Sequence, residues 1–488
     1  MSDFQSLFRA CLDRYKLTIY RLSKDLHIDR STLYQVQSGT RLPTVPIFRQ
    51  LAAYFKLTPQ EERQWLEAWK RARLGPKHYQ LRQQVESCIQ TLEQCTSRVP
   101  ASLPVRHQVT LEIPSGTSLY LEDREDVLQL LHAVSESYIC TEGQSPLDIH
   151  LPFSFFSGVG GSPPGFQLLR GGPLVRQLFP LTPPHCEHGE DISAVLNVLN
   201  GILNRFFSPG GGQEYTPYFY YQNGGNEADV SNLFPYYVIT DCRVLLLSEH
   251  QERGLLLTDP QAAAAYRRQF ELALEQAAPL FRCYDNPIQA MQEIFAQEEN
   301  PRQPPPSSHF FSQPCLMMYA DRQIISHGVH PAFPNREQVV EFAMDCYVDG
   351  QRYGRDYYNF FTRQGAAEFL ASGVMQEFPD YLVCPLPMED RLTLIRRLRD
   401  HACLEKGNVH CINPQLVSVP EHILIDVCSG RQILFSRSRP DALNYLVVSE
   451  PGLVRCFQDY FRTLPSTPGV SSREESAAVL DELLAQYS

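Results

Sequence analysis

A chain of 488 residues exceeds one ordinary domain and points to two to four of them. With 43% hydrophobic and 20% charged residues it has the composition of a folded globular protein, which excludes a largely disordered chain. A net charge of −12, taken whole, argues against a polyanionic partner, but the charge is unevenly spread. Residues 1–75 hold 13 Lys+Arg against 7 Asp+Glu, a balance of +6, whereas the remainder holds 30 against 48. A basic head on an acidic body suits a module that binds phosphates and releases their counterions. No run of eighteen apolar residues occurs and the N-terminus is amphipathic and charged, so a cytoplasmic protein without a membrane span is expected. The 14 cysteines are scattered from Cys11 to Cys456 with no Cys-x-x-Cys pair, the pattern of free thiols in a reducing compartment.

Five helices are predicted in the first 75 residues. The first covers about residues 4–15, with Phe4, Leu7, Phe8, Cys11 and Leu12 at spacings of three and four. Thr18 is placed to cap a second helix carrying Tyr20, Leu22 and Leu26. Asp29 is placed to cap a third over residues 30–38, which Gly39 ends in a left-handed conformation. Pro43 and Pro46 bracket the start of a fourth, with Ile47, Leu51, Ala52 and Phe55 inward. Thr58-Pro59-Gln60-Glu61 opens a fifth, with a threonine cap, a proline in the first turn and acidic residues near the positive helix end.

Two helices joined by three residues, the second short and capped, form a helix-turn-helix pattern. The segment from about residue 4 to 70 resembles the XRE (Cro/C1-type) repressor family. The likeness is carried by residues 22–26, by Ile28-Asp29-Arg30-Ser31-Thr32-Leu33, by Val36, Gly39 and Pro43, and by the apolar rhythm of the fourth helix. It covers roughly one seventh of the chain. The family usually has a glutamine near the start of the second helix, where this chain has Ile19-Tyr20-Arg21, and a glutamate two residues before the glycine, where it has Gln37. The resemblance implies a lambda repressor-like, all-α DNA-binding domain over residues 1–75 whose third helix enters the major groove. It places Arg30, Ser31 and Gln35 at base-reading positions, with Tyr34 alongside. Arginine and glutamine suit bidentate contacts to guanine and adenine respectively. Thr18, Tyr20 and Arg21 are candidates for phosphate contact, as is Arg41 in the loop beyond the third helix.

Residues 76–104 read as a linker helix and loop. Leu81, Val85, Cys88, Leu92 and Cys95 make an a/d stripe, which fits either pairing of two copies or packing on the neighbouring domain. The body from residue 105 alternates strand-like and helical runs, an α/β or α+β pattern. Strands are predicted at 109–113, 148–153, 236–240, 243–247, 422–426 and 443–448. A proline-rich linker at 299–308 divides the body into halves, 105–298 and 309–466, before a tail at 467–488 with an amphipathic helix over 477–487. The two halves end alike. At a constant offset of 191, Asp259-Pro260 aligns with Glu450-Pro451, Tyr266 with Phe457 and Phe270 with Phe461, the mark of an internal duplication. A duplicated α/β unit behind a helix-turn-helix weakly resembles the phospholipase D-like fold, which some regulators use as a non-catalytic sensor. The His-x-Lys-x4-Asp signature of that superfamily is absent, and beyond residue 77 the chain has a single lysine, Lys406.

Other clusters carry less. His185-Cys186-Glu187-His188 and His327-x-x-His330 lack partner pairs at zinc spacing. The glycine-rich stretches at 158–165 and 210–212 match no phosphate-binding fingerprint, and no Gly-x-Ser-x-Gly or His-Glu-x-x-His occurs. The aromatic run from Tyr215 to Tyr221 suits either a small-molecule pocket, with Tyr215, Tyr218, Tyr220 and Tyr221 as candidate contacts, or sheet packing. Residues 357–361 form a similar run. No catalytic residue, metal or cofactor is expected. The expected function is a DNA-binding transcription regulator that contacts double-stranded DNA as a homodimer and answers to a small-molecule or protein effector through its body. An enzyme targeted to DNA, or a scaffold whose body binds another protein, are the alternatives.

Overall fold

A computed structural model of the chain describes residues 3–97, 118–140, 146–151, 174–181, 190–207, 215–221, 233–284, 287–296, 307–345, 357–404, 407–428, 430–438 and 443–487. It has an N-terminal helical region followed by a mixed α/β body with two sheets. The chain divides into two compact units that interleave along the sequence. One comprises residues 1–93, 285–445 and 454–488, and the other residues 94–284 and 446–453.

The first unit begins with α1 (Asp3–Arg14), α2 (Ile19–Leu26), α3 (Arg30–Ser38), α4 (Val45–Tyr54) and α5 (Pro59–Leu74). Their ends follow local chemistry. The Thr18 hydroxyl accepts from the Arg21 amide, the Asp29 carboxylate accepts from the Ser31 amide, and Thr58 and Glu61 form a reciprocal capping box. Gly39 ends α3 at φ 78°, where a Cβ would also meet the Gln5 side chain at 2.9 Å. The inward faces converge on Trp65, whose ring meets Phe4, Phe8, Phe48 and Phe55 with centroids 5.2–6.2 Å apart.

These helices are not a detached head. Leu416, from the α/β part of the same unit, packs into their core. Arg49 pairs with the Glu475 carboxylate at 2.6 Å and donates to the carbonyls of Pro468 and Val470. Arg73 donates to the Ser466 carbonyl, and Arg82 meets Asp459 at 2.7 Å. The next helix, α6 (Pro76–Ser97), begins just after Gly75. Its Val85, Cys88, Leu92 and Cys95 are buried within one chain. The a/d stripe therefore packs within its own protomer, and of the two readings of the stripe self-pairing is the one the burial disfavours.

The second unit holds β1 (Ser118–Leu121), α7 (Arg124–Cys140), β2 (Leu147–His150), β3 (Val175–Leu181), α8 (Glu190–Phe207), β4 (Tyr215–Tyr221), β5 (Tyr236–Ile239), β6 (Arg243–Leu247), β7 (Gly254–Thr258), α9 (Pro260–Leu274), β8 (Ala278–Pro279) and β9 (Phe281–Tyr284). Its sheet runs β1-β7-β6-β5-β2-β3-β4-β8. β2, β3 and β4 are parallel, and the remaining neighbours are antiparallel. Asp148 on β2 is fully buried; Arg176 meets it at 2.7 Å and Arg267 at 3.2 Å.

The rest of the first unit contains α10 (Pro287–Ala296), β10 (Ser307–Phe310), α11 (Arg322–Gly328), α12 (Arg336–Ala343), β11 (Tyr357–Thr362), α13 (Arg363–Ser372), α14 (Met388–Ala402), β12 (Asn408–Ile412), β13 (Ile423–Cys428), β14 (Gln432–Ser438), β15 (Leu443–Val448), α15 (Pro451–Thr463) and α16 (Arg473–Tyr487), β15 and α15 crossing the unit boundary. Its sheet includes the order β12-β11-β10-β13-β14-β15. β10, β11 and β12 are parallel, while β13 is antiparallel to both β10 and β14. This repeats, strand for strand, the order β4-β3-β2-β5-β6-β7 of the other sheet. The helices after β7 and β15 also start alike. Asp259 accepts from the Gln261 amide, and Glu450 accepts from the amides of Gly452 and Leu453.

Several expectations change. Ser307 and Ser308, expected in the proline-rich linker, already belong to β10, where Ser308 pairs with Val427. The segment 467–488 is no tail, because α16 is longer than expected and buries Ala477, Leu480 and Leu483 in the core beside α13 and α14. The strand expected at 148–153 is observed as β2, ending at His150. The expected strand 109–113, the clusters at 158–165, 185–188 and 210–212, and Lys406 lie outside the described residues.

Candidate nucleic-acid interface

α2 and α3 turn on three residues. Ile19 and Leu22 of α2 and Leu33 and Val36 of α3 are buried, while His27 takes a left-handed φ of 53°. The Ser23 hydroxyl donates to the Ile28 carbonyl at 2.6 Å and braces the turn. With the apolar stripe facing the core, helical periodicity turns the other side of α3 outward. Thr18, Tyr20, Arg21, Arg30, Ser31, Tyr34, Gln35 and Arg41 are all exposed. The Arg30 guanidinium lies 5.5 Å from the Tyr20 ring centre and 5.4 Å from that of Tyr34, and donates to the Tyr34 hydroxyl at 3.3 Å. The two tyrosines thus hold the arginine head in place on the surface, joining α2 to α3.

Sequence reasoning missed Lys24, whose ammonium lies 4.9 Å from the Tyr20 ring centre and adds a cation beside Arg30. Arg21 is partly offset by Asp25 at 3.8 Å. The glutamate usual before the closing glycine is not needed to anchor α3. Gln5 and Arg9 both donate to the Gln37 carbonyl at 3.0 Å and tie the helix end to α1. The Arg41 amide donates to the Gln35 carbonyl, which sets the loop that carries its side chain.

The tyrosines of the aromatic run do not form one pocket. The run is β4, and its residues alternate across the sheet. Tyr215 is buried on one face and donates to Gln177 at 2.7 Å. Tyr221, which shares that parity, donates to Glu450 at 2.8 Å. Tyr218 and Tyr220 belong to the other face, where the Tyr220 hydroxyl lies 3.2 Å from His150 Nε2. The sheet-packing reading of the run is the one these contacts favour.

His150 gives the second unit a pH dependence. Burial pulls its pKa from 6.5 down to about 4, so folding favours the neutral ring. The stability that this contributes is fully present above pH 6.5 and is lost as pH falls through about 4. At ~1.4 kcal/mol per pKa unit it amounts to about 3 kcal/mol. Thermal unfolding followed between pH 7 and 4 should show a steeper loss for the native chain than for His150→Gln, and equal slopes would remove His150 as the cause.

A second group of polar side chains, which no sequence spacing announces, lies in the first unit's sheet. His309 on β10 stands opposite Asp426 on β13, with Nδ1 and Oδ1 3.0 Å apart. The donor atoms of His309, Cys315 and Glu377 lie within 4.8 Å of one another. Burial pushes Glu377 up to about 7 and the Cys315 thiol well above its ordinary range. The other histidine pair is engaged elsewhere. His327 Nδ1 meets Asp390 at 2.6 Å, and His330 Nδ1 accepts from the Ala332 amide.

No protein-family model and no curated protein matches the chain. No helix among the described residues is long and apolar enough to cross a membrane.

Proposed function

We propose that the chain is a sequence-specific DNA-binding regulator of the XRE type, with α2 and α3 as its helix-turn-helix and α3 as its recognition helix. One observation carries the reading: the eight candidate DNA-contacting residues are all exposed, while Ile19, Leu22, Ile28, Leu33 and Val36 among them are buried in the core. The +6 balance of residues 1–75 supports it, since neutralised phosphates release counterions. The shared strand order of the two sheets supports an internally duplicated body, which we assign to effector sensing or assembly. A homodimer would read two half-sites, because one small domain contacts too few base pairs for operator specificity.

The test is a comparison of two arginines on full-length protein, with an operator selected from random duplexes and binding followed by fluorescence anisotropy. Arg30→Ala should cost roughly 1–3 kcal/mol on the operator and relax the preference at one base pair per half-site. Arg41→Ala should weaken operator and random DNA about equally and reduce the salt slope by roughly one. If neither substitution changed binding, α3 would not be the recognition helix.

A further inference from the structure

We infer that His309, Cys315, Glu377 and Asp426 form a binding site for one divalent d-block cation of the zinc class. The inference stands apart from the DNA reading, since none of these residues belongs to the N-terminal helices.

The four side chains come from four segments of one unit: His309, Cys315 and Glu377 cluster, and Asp426 adjoins His309. His309 lies on β10 and Asp426 directly across from it on β13. Cys315 follows β10 in the turn before α11, and Glu377 follows α13. His309 and Cys315 are almost completely buried. The His309 Nε2 lies 3.4 Å from the Gln313 carbonyl oxygen. The Asp426 Oδ1 is buried and lies 3.0 Å from Nδ1, the distance of an ion pair between the two groups. A metal ion that takes the place of the proton between these two atoms spreads them from 3.0 Å to the spacing of two ligands. Zinc ligands bound at about 2.0–2.2 Å lie roughly 3.3–3.5 Å apart around a tetrahedron. The donor atoms of His309, Cys315 and Glu377 already lie within 4.8 Å of one another, and gathering them to that spacing takes side-chain rotations and little more.

The surrounding groups hold the ligands in position. The fully buried Asn359 side chain accepts from the Cys315 amide at 3.1 Å and donates to the Cys315 carbonyl at 2.9 Å, clasping the turn that presents the thiol. Gln313 donates to the Val374 carbonyl at 3.2 Å and accepts from the Gln376 amide at 3.0 Å, which pins the Glu377 segment beside that turn. Outer contacts of this kind fix the orientation of metal ligands. The donor set selects the ion. One thiolate sulfur and one imidazole nitrogen with two carboxylates suit zinc or cobalt, whereas magnesium and calcium take oxygen alone. The other sheet offers a contrast, because there the buried carboxylate of Asp148 is matched by Arg176 and Arg267. Among the described residues neither Glu377 nor Asp426 pairs with a lysine or arginine. The histidine beside Asp426 is their basic neighbour, and the proposed cation takes the place of its proton.

Full-length protein stripped by a chelator and titrated with Co²⁺ tests the site. The native chain should take up one equivalent with a thiolate-to-cobalt charge-transfer band in the near ultraviolet, and Zn²⁺ should displace it stoichiometrically. Cys315→Ser should abolish the band, and Glu377→Gln should keep it while weakening Zn²⁺ binding at least about tenfold. Cys403→Ser, at an exposed thiol, should change neither. Absence of the band in the native chain overturns the inference, as does its persistence in folded Cys315→Ser. Should Cys315→Ser fail to fold, unchanged Zn²⁺ affinity in Glu377→Gln overturns it equally.

Discussion

Replacing Trp65 by alanine is expected to cost about 3–5 kcal/mol, the range for a large aromatic removed from a packed core. The indole is 2% exposed and touches aromatic rings from both α1 and α4, so no single neighbour can collapse into the gap. A loss of that size is a large part of the roughly 5–15 kcal/mol that holds an ordinary domain together. Urea unfolding of the full-length chain, followed by far-ultraviolet circular dichroism, measures it. Trp65→Phe should lose clearly less, because much of the ring contact survives. DNA binding should disappear with Trp65→Ala as the helices melt, whereas Arg30→Ala should reduce binding with unchanged unfolding. Trp65→Ala unfolding within about 1 kcal/mol of the native chain would contradict the central place of this ring in the helical core.

Asp148→Ala is expected to destabilise the second unit by about 3 kcal/mol, the lower end of the range for breaking a buried ion pair. Arg176 has a second partner in Glu271 at 2.7 Å and Arg267 has one in Asp241 at 3.5 Å, which limits the loss. Burial itself raises the Asp148 carboxyl, against the pull of the two guanidiniums. The loss therefore comes mainly from cations left without their anion. The double substitution Asp148→Leu with Arg176→Met should recover part of it, because an apolar pair removes the charges together. A double-mutant cycle on unfolding free energies reads the coupling, and strictly additive effects would refute a functional pair.

The helix ends were legible because caps use chemistry within three residues of the end. Thr18, Asp29, Gly39 and the Thr58–Glu61 box are read from residue type and spacing alone, and α2 and α3 fall at the expected positions. The common strand order was visible only as a faint likeness near Asp259 and Glu450, since each sheet fills its positions with different residues. What could not be read is long-range. A strand and a pocket wall both use tyrosines, and only the partners of Tyr215 and Tyr220 separate the faces of β4. The stripe on α6 is as apolar for packing at home as for pairing abroad. His309, Cys315, Glu377 and Asp426 follow no spacing because their meeting is set by strand register and by two loops. Arg49 is an ordinary arginine in sequence, and its partner Glu475 lies near the other end of the chain.

That last contact has a consequence for synthesis. The helices of residues 3–74 leave the ribosome long before residues 459–475 and can close around Trp65 at once, yet Arg49, Arg73 and Arg82 receive partners only when residues 459–475 emerge. At about 5–20 residues per second, that wait is roughly 20–80 s. During it the nascent chain carries folded N-terminal helices whose docking side is still bare, and Leu416 arrives to fill their core late in the same interval.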